Sequence, residues 1–160
     1  MANDLIKKLR SEGATVIYTA GKAPQACKAE KEYKHDLFIS LHHDYAANRA
    51  GKALKDRHGY KIFYHKGDTL SQKFANTMEK SVNGLVSNAQ SDNCKVENDV
   101  DGSQHTSLGV LTNAKINKVP GILIECGFMS NDTELKNIDS WKFREQLADE
   151  ITDVICEHLK

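Results

Sequence analysis

Two histidines and a glutamate stand where chemistry could gather in this 160-residue chain. His42 and His43 close the apolar segment DLFISL (36–41), and Glu125 closes GILI (121–124). If both segments are strands and lie side by side, an imidazole and a carboxylate meet at one edge of a sheet. Within a strand such a carboxylate is desolvated at high cost unless paired, whereas at a rim it can face a cavity. The pair suits a hydrolytic zinc site. There the metal polarises a carbonyl and acidifies bound water, and a glutamate that is not a ligand takes and relays the proton. The plainer readings stay open: a hydrogen-bonded rim histidine, and a glutamate that caps a helix or pairs with a cation.

Nearby residues admit similar pairs of readings. His43 lines the cleft or lies on the surface, and Asp44 orients His42 or does not. His105, in DGSQHTS, lines a substrate groove or sits in a solvated loop. Cys126 follows Glu125 directly. Successive strand residues point to opposite faces, so Cys126 reads as a buried, inert thiol rather than a nucleophile that Glu125 could activate. Ser130 and Asn131 are helix-capping types. The run KALKDRHGYK reads as a solvated face whose cations could also meet an acidic wall polymer.

The elements that must position these residues follow from periodicity. Helices are expected at 2–12, where Leu5, Ile6 and Leu9 share a face before Gly13, and at 23–34. A third covers 69–86, with Leu70, Phe74, Ala75, Met78 and Val82 on one stripe. A short helix begins near 130, and a last one at 140–158 buries Trp141, Phe143, Leu147, Ile151, Val154 and Ile155. Strands are expected at 14–19, 36–41, 60–65, 108–112 and 121–124, while 87–107 is polar and uneven. Alternating strands and helices predict an α/β fold with a central, mostly parallel sheet and helices on both faces. The continuously apolar strands 36–41 and 121–124 are the central ones. In such sheets ligands gather beyond the carboxyl ends of strands.

Composition narrows the function classes. Lys plus Arg and Asp plus Glu number 22 each. A neutral chain without a basic block argues against a phosphate-tracking nucleic-acid binder. No run approaches the roughly 18 apolar residues of a membrane span. The start, MANDLIKKLRSEG, has no apolar core of a signal peptide. Cys27, Cys94, Cys126 and Cys156 are widely spaced, which fits reduced thiols better than a disulfide framework or a cysteine zinc site.

The same segments resemble a known family. DLFISLHHDY is similar to the DLFISIHAN segment of the zinc-dependent N-acetylmuramoyl-L-alanine amidases of the amidase 3 family. GILIECGFMSNDTEL is similar to that family's E-x-GF-x-SN segment. GYKIFYH with LSQKFA, NDLIKKLRSEGATVIYT, and LGVLTNAKINKVPGILIE match further stretches in the family's order. The resemblance implies one Zn2+ ion and cleavage of the amide between N-acetylmuramic acid and the stem peptide's L-alanine. It places His42 on a zinc-ligand position and Glu125 on the catalytic carboxylate. It also implies peptidoglycan as partner and an extracellular or cell-wall setting, or a cytoplasmic one until lysis if the chain is a phage endolysin.

Residues 1–160 read as a single amidase-like domain that begins inside the family's first helix. The Gly-His-Gly strand end and the glutamate that give the family its other zinc ligands have no counterpart. The expectation is a domain truncated at its N-terminus, completed by a complementing N-terminal segment or by homo-oligomerisation. Two alternatives stand beside it. One is a non-catalytic peptidoglycan-binding relative that has lost the metal site. The other rebuilds the site from His43, His35, His65 or His105.

Overall fold

Of the two strands expected to be central, 121–124 lies inside the sheet, whereas 36–41 is its edge strand among the described residues and is only half-buried. In a computed structural model the described residues are 1–19, 26, 28, 32–88, 95–99 and 108–159, with the side chains of 86–88 and 95–99 outside that description. The strands are β1 (Phe38–Asp44), β2 (Lys61–His65), β3 (Lys95–Asp99) and β4 (Gly121–Phe128). Their order is β1-β4-β2-β3. β1 runs parallel to β4 and β2 parallel to β3, and the middle pairing of β2 with β4 is antiparallel. The sheet is therefore mixed, with parallel pairs on either side of one antiparallel junction.

The helices are α1 (Ala2–Ser11), α2 (Thr69–Asn88), α3 (Gly109–Ile116), α4 (Asp132–Asp139) and α5 (Trp141–Leu159). One face of the sheet carries the main core. Ile62, Ile122, Ile124 and Cys126 meet Leu5 and Leu9 of α1, Phe74, Met78 and Val82 of α2, and Leu147 and Ile151 of α5. Burying each large aliphatic side chain there stabilises the fold by about 1.5–3 kcal/mol. The other face carries a smaller cluster of Val110, Leu111 and Leu123, with Phe38 and Phe63 packed against it. Helices thus lie on both faces. No helix among the described residues is long and apolar enough to cross a membrane.

Local chemistry explains the helix starts. Asp68 caps α2, its carboxylate accepting from the Ser71 amide (3.1 Å) and the Ser71 hydroxyl (2.6 Å). Asn131 caps α4 by accepting from the amides of Thr133 (2.9 Å) and Glu134 (3.1 Å). Gly121 opens β4 where α3 crosses closely: a Cβ there would stand 3.0 Å from that of Ala114.

Four expectations are corrected. LGVLT begins helix α3, because the buried residues Val110, Leu111 and Ala114 recur at helical spacing once the window extends to Ile116. Residues 14–19 belong to no strand, and Ile17 and Tyr18 are 43% and 54% exposed. High strand propensity needs a partner edge to act on. Trp141 begins α5 on its outer side, 69% exposed, and Leu70 is 55% exposed on α2. The polar stretch contains the short strand β3. The helix expected at 23–34 lies mostly outside the described residues.

Candidate active site

A single row of side chains crosses three strands. The Cα of His42 on β1 pairs with that of Glu125 on β4, and Glu125 pairs with Lys61 on β2. The row below it is Ser40, Leu123 and Phe63. Strand alternation puts both rows on one face, the one with the smaller apolar cluster. Glu125 therefore stands at the upper edge of an apolar patch, where a carboxylate is poorly hydrated.

That position has an electrostatic consequence. Burial, reinforced by the Asp44 carboxylate and opposed by the Lys61 ammonium, pushes the Glu125 carboxyl up to about 7. Its Oε2 is buried and has no hydrogen-bond partner among the described residues. An acid balanced near neutral pH can take a proton and return it within one catalytic cycle.

A bulge brings further groups to the row. His42 pairs with Glu125 but Asp44 pairs with Phe128, so β4 holds one extra residue between these pairings. Gly127 absorbs the irregularity at φ 92°, a conformation that favours glycine. Beyond it, the Phe128 ring lies 5.7 Å from the Lys61 ammonium. The Met129 amide donates to the Asp44 carbonyl (2.8 Å) and fixes the two strand ends together.

Glu134 locks this corner. Its side chain is 1% exposed, and its carboxylate accepts from the amides of Phe128 (2.6 Å) and Gly59 (2.8 Å). One carboxylate thus ties the bulge of β4 to Gly59, two residues before β2. The loop between β1 and β2 is held to the same segment. Ala46 donates its amide to the Ser130 hydroxyl (3.2 Å), Asn131 donates to the Lys55 carbonyl (2.9 Å), and Lys55 pairs with Asp132 (2.7 Å).

The structure brings His42 and Glu125 together and sends His43 elsewhere. Strand alternation turns His43 to the main-core face, so it does not line the row as the sequence suggested. Burial, then the charges of the Met1 amino group, His42 and Arg144, lowers its pKa. Asp44 does not hold the His42 ring; its Oδ1 accepts from the Tyr45 amide (2.7 Å). His105 lies outside the described residues. Cys126 is 1% exposed on the face opposite Glu125, as expected of a buried thiol. Lys61, Phe128 and Glu134 escaped sequence reasoning, because their proximity depends on the antiparallel junction and the bulge. The alternation in GYKIFYH was the one available signal for Lys61, since it puts residue 61 on the face of Phe63.

A catalytic zinc takes three protein ligands. Among the described residues no three of His, Cys, Asp or Glu converge. His42 alone of the candidate ligands occupies the row, so these residues do not by themselves fit the metal that the resemblance implies.

Comparisons with known proteins agree with this architecture. Residues 1–157 match the amidase 3 model, described as N-acetylmuramoyl-L-alanine amidase. The "probable cell wall amidase LytH" of Staphylococcus aureus is 28% identical over 155 residues, covering 95% of this chain and 45% of that protein. The chain thus spans less than half the length of the curated relatives it matches. The CwlD amidase of Clostridioides difficile, solved in complex with the GerS lipoprotein, superposes with a TM-score of 0.76 at 20% identity, over 98% of this chain and 81% of that one. The catalytic domain of CwlV, an N-acetylmuramoyl-L-alanine amidase of Bacillus (Paenibacillus) polymyxa, gives 0.74 at 21% identity, over 99% and 80%.

Proposed function

Because this chain belongs to the N-acetylmuramoyl-L-alanine amidase family, we propose that it is a peptidoglycan hydrolase cutting the amide between N-acetylmuramic acid and the L-alanine of the stem peptide. The observation that carries this reading is the alignment of His42 with Glu125 on neighbouring parallel strands, with the Glu125 carboxyl raised to about 7 above an apolar patch. Glu125 takes a proton from the attacking water. It then gives that proton to the nitrogen of L-alanine as the amide carbon–nitrogen bond breaks, leaving a lactyl carboxylic acid and a free peptide amine. The acid passes its proton to the amine, so water is the sole co-reactant and the products are a carboxylate and an ammonium.

Zn2+, when bound, would polarise the scissile carbonyl and acidify water, and His42 would be one of its ligands; the described residues alone do not complete the set. The chain acts as one domain at the cell wall. Among the described residues β1 is an edge strand of the sheet. A sheet edge with unpaired amides and carbonyls invites another strand, so a complementing segment or a second copy pairs there.

The test is digestion of purified peptidoglycan with the protein and with Glu125→Ala. The parent releases new N-terminal alanine and the variant does not, although both show the same circular dichroism. Equal release by the two removes Glu125 from the reaction. Elemental analysis tests the metal: zinc in the parent that His42→Ala loses supports the ligand role, and zinc in neither removes it. Wall pelleting without any release of alanine would support a binding relative instead.

A further inference from the structure

Lys61 belongs to the same row as His42 and Glu125 yet has no task in the chemistry above. Its side chain is half-buried, its Cα lies opposite that of Glu125, and its ammonium is 5.7 Å from the centre of the Phe128 ring. Among the described residues it makes no ion pair, although the Glu125 carboxylate is near enough to feel its charge. A partly desolvated ammonium with hydrogen-bond donors to spare is positioned for an anion. The aromatic ring under it restricts where those donors point.

We propose that Lys61 receives a carboxylate of the substrate's peptide, one residue beyond the scissile amide, and so selects the free acid over the carboxamide at that place. The inference rests on the cleavage reading above. With the scissile bond over Glu125, an extended peptide advances about 3.5 Å per residue. The neighbouring strand that carries Lys61 lies about 4.8 Å away. A peptide that runs from Glu125 toward β2 brings the next residue's substituent over the ammonium. The charge selected belongs to the peptide half, because the lactyl carboxyl of the glycan is already consumed in the amide bond. A lysine–carboxylate contact is charge-assisted, and a carboxamide forfeits that assistance.

Two synthetic glycopeptides test this: N-acetylmuramoyl-L-alanyl-γ-D-glutamate with its α-carboxyl free, and its α-carboxamide. Binding of each to the full chain, to Lys61→Gln and to Lys61→Arg is measured by calorimetry, with circular dichroism as the check on folding. The parent is expected to prefer the free acid by about tenfold. Lys61→Gln abolishes the preference and Lys61→Arg retains it, and added salt weakens only the free-acid complex. Equal affinity of the parent for both probes, binding of neither, or a preference that survives in Lys61→Gln overturns the proposal. Wall digestion separates the two readings. Cleavage with no dependence on Lys61 removes this inference alone. A Lys61-dependent preference without any wall cleavage counts against the cleavage reading and leaves the recognition role standing.

Discussion

The two faces of β4 carry opposite chemistry within eight residues. On one side Ile122, Ile124 and Cys126 are at most 1% exposed and meet three helices. On the other, Leu123 is buried by the smaller cluster, and the next residue on that face is Glu125. The first face is sealed along its length. The second carries an apolar lower row of Leu123 and Phe63, and the polar row of His42, Glu125 and Lys61 begins directly above it. A carboxylate is tolerated there because the apolar patch raises its pKa instead of excluding it. The contrast teaches that a strand which looks uniformly apolar can serve stability on one face and reactivity at the end of the other.

Substitutions on the two faces should separate those roles. The largest effect is expected from Glu125→Ala, which lowers alanine release by about 10²–10⁴-fold, the usual contribution of a positioned acid–base group. Its melting temperature stays at or above that of the parent, since an unpaired buried carboxyl oxygen is removed. A collapse of the thermal transition would mean that Glu125 is structural.

On the opposite face, Ile124→Ala is expected to destabilise the fold by about 2–5 kcal/mol in urea unfolding, through lost burial and the cavity left behind. A loss below 1 kcal/mol would indicate a core loose enough to collapse around the gap.

Glu134→Ala addresses the corner that joins the faces. Leaving the buried amides of Phe128 and Gly59 without an acceptor costs about 1–3 kcal/mol. Alanine release should fall by a smaller factor than in Glu125→Ala. If stability is unchanged, water satisfies those amides and the carboxylate is not the lock described here.

Smaller still is a pH effect in metal-free protein. Glu125 has a folded pKa of about 7, above its ordinary 4.5. Between those values the folded state holds more protons than the unfolded one, so stability falls as pH rises through that window and levels off above it. Parent and Glu125→Gln unfolding curves should therefore diverge between pH 4.5 and 7, with the variant gaining relative stability. Parallel curves would put the carboxyl in a hydrated position. Trp141→Ser, at a 69% exposed site, is the smallest case: a change within about 0.5 kcal/mol is expected, and a larger loss would expose a packing role for α5's first residue.

The candidate site was partly legible from the chain. DLFISL and GILI are apolar enough to read as strands of a covered sheet, though only β4 is buried and β1 is a half-buried edge strand among the described residues; polar residues at their ends pointed to a shared rim, so His42 and Glu125 could be paired in advance. His43 could not be separated from His42, since which of two adjacent histidines faces the cleft depends on strand phase. The alternation in GYKIFYH fixes the face of Lys61 but not its neighbour, because no local pattern reports that β2 runs antiparallel to β4. LGVLT misled for a related reason: five apolar-rich residues fit a strand or a helix, and Ala114 decides between them only through its packing on Gly121.

Local sequence by itself determined the caps at Asp68 and Asn131, the amphipathic stripes of α2 and α5, and the burial of β4. Each depends on residues within a turn or two, or on hydrophobicity alone. The tertiary structure decided the row of His42, Glu125 and Lys61, the bulge at Gly127 that turns Phe128 toward Lys61, and the bridge of Glu134 between two distant amides. Those features depend on register between segments about 60 to 85 residues apart in the chain, and a shift of one residue would send every side chain in the row to the opposite face.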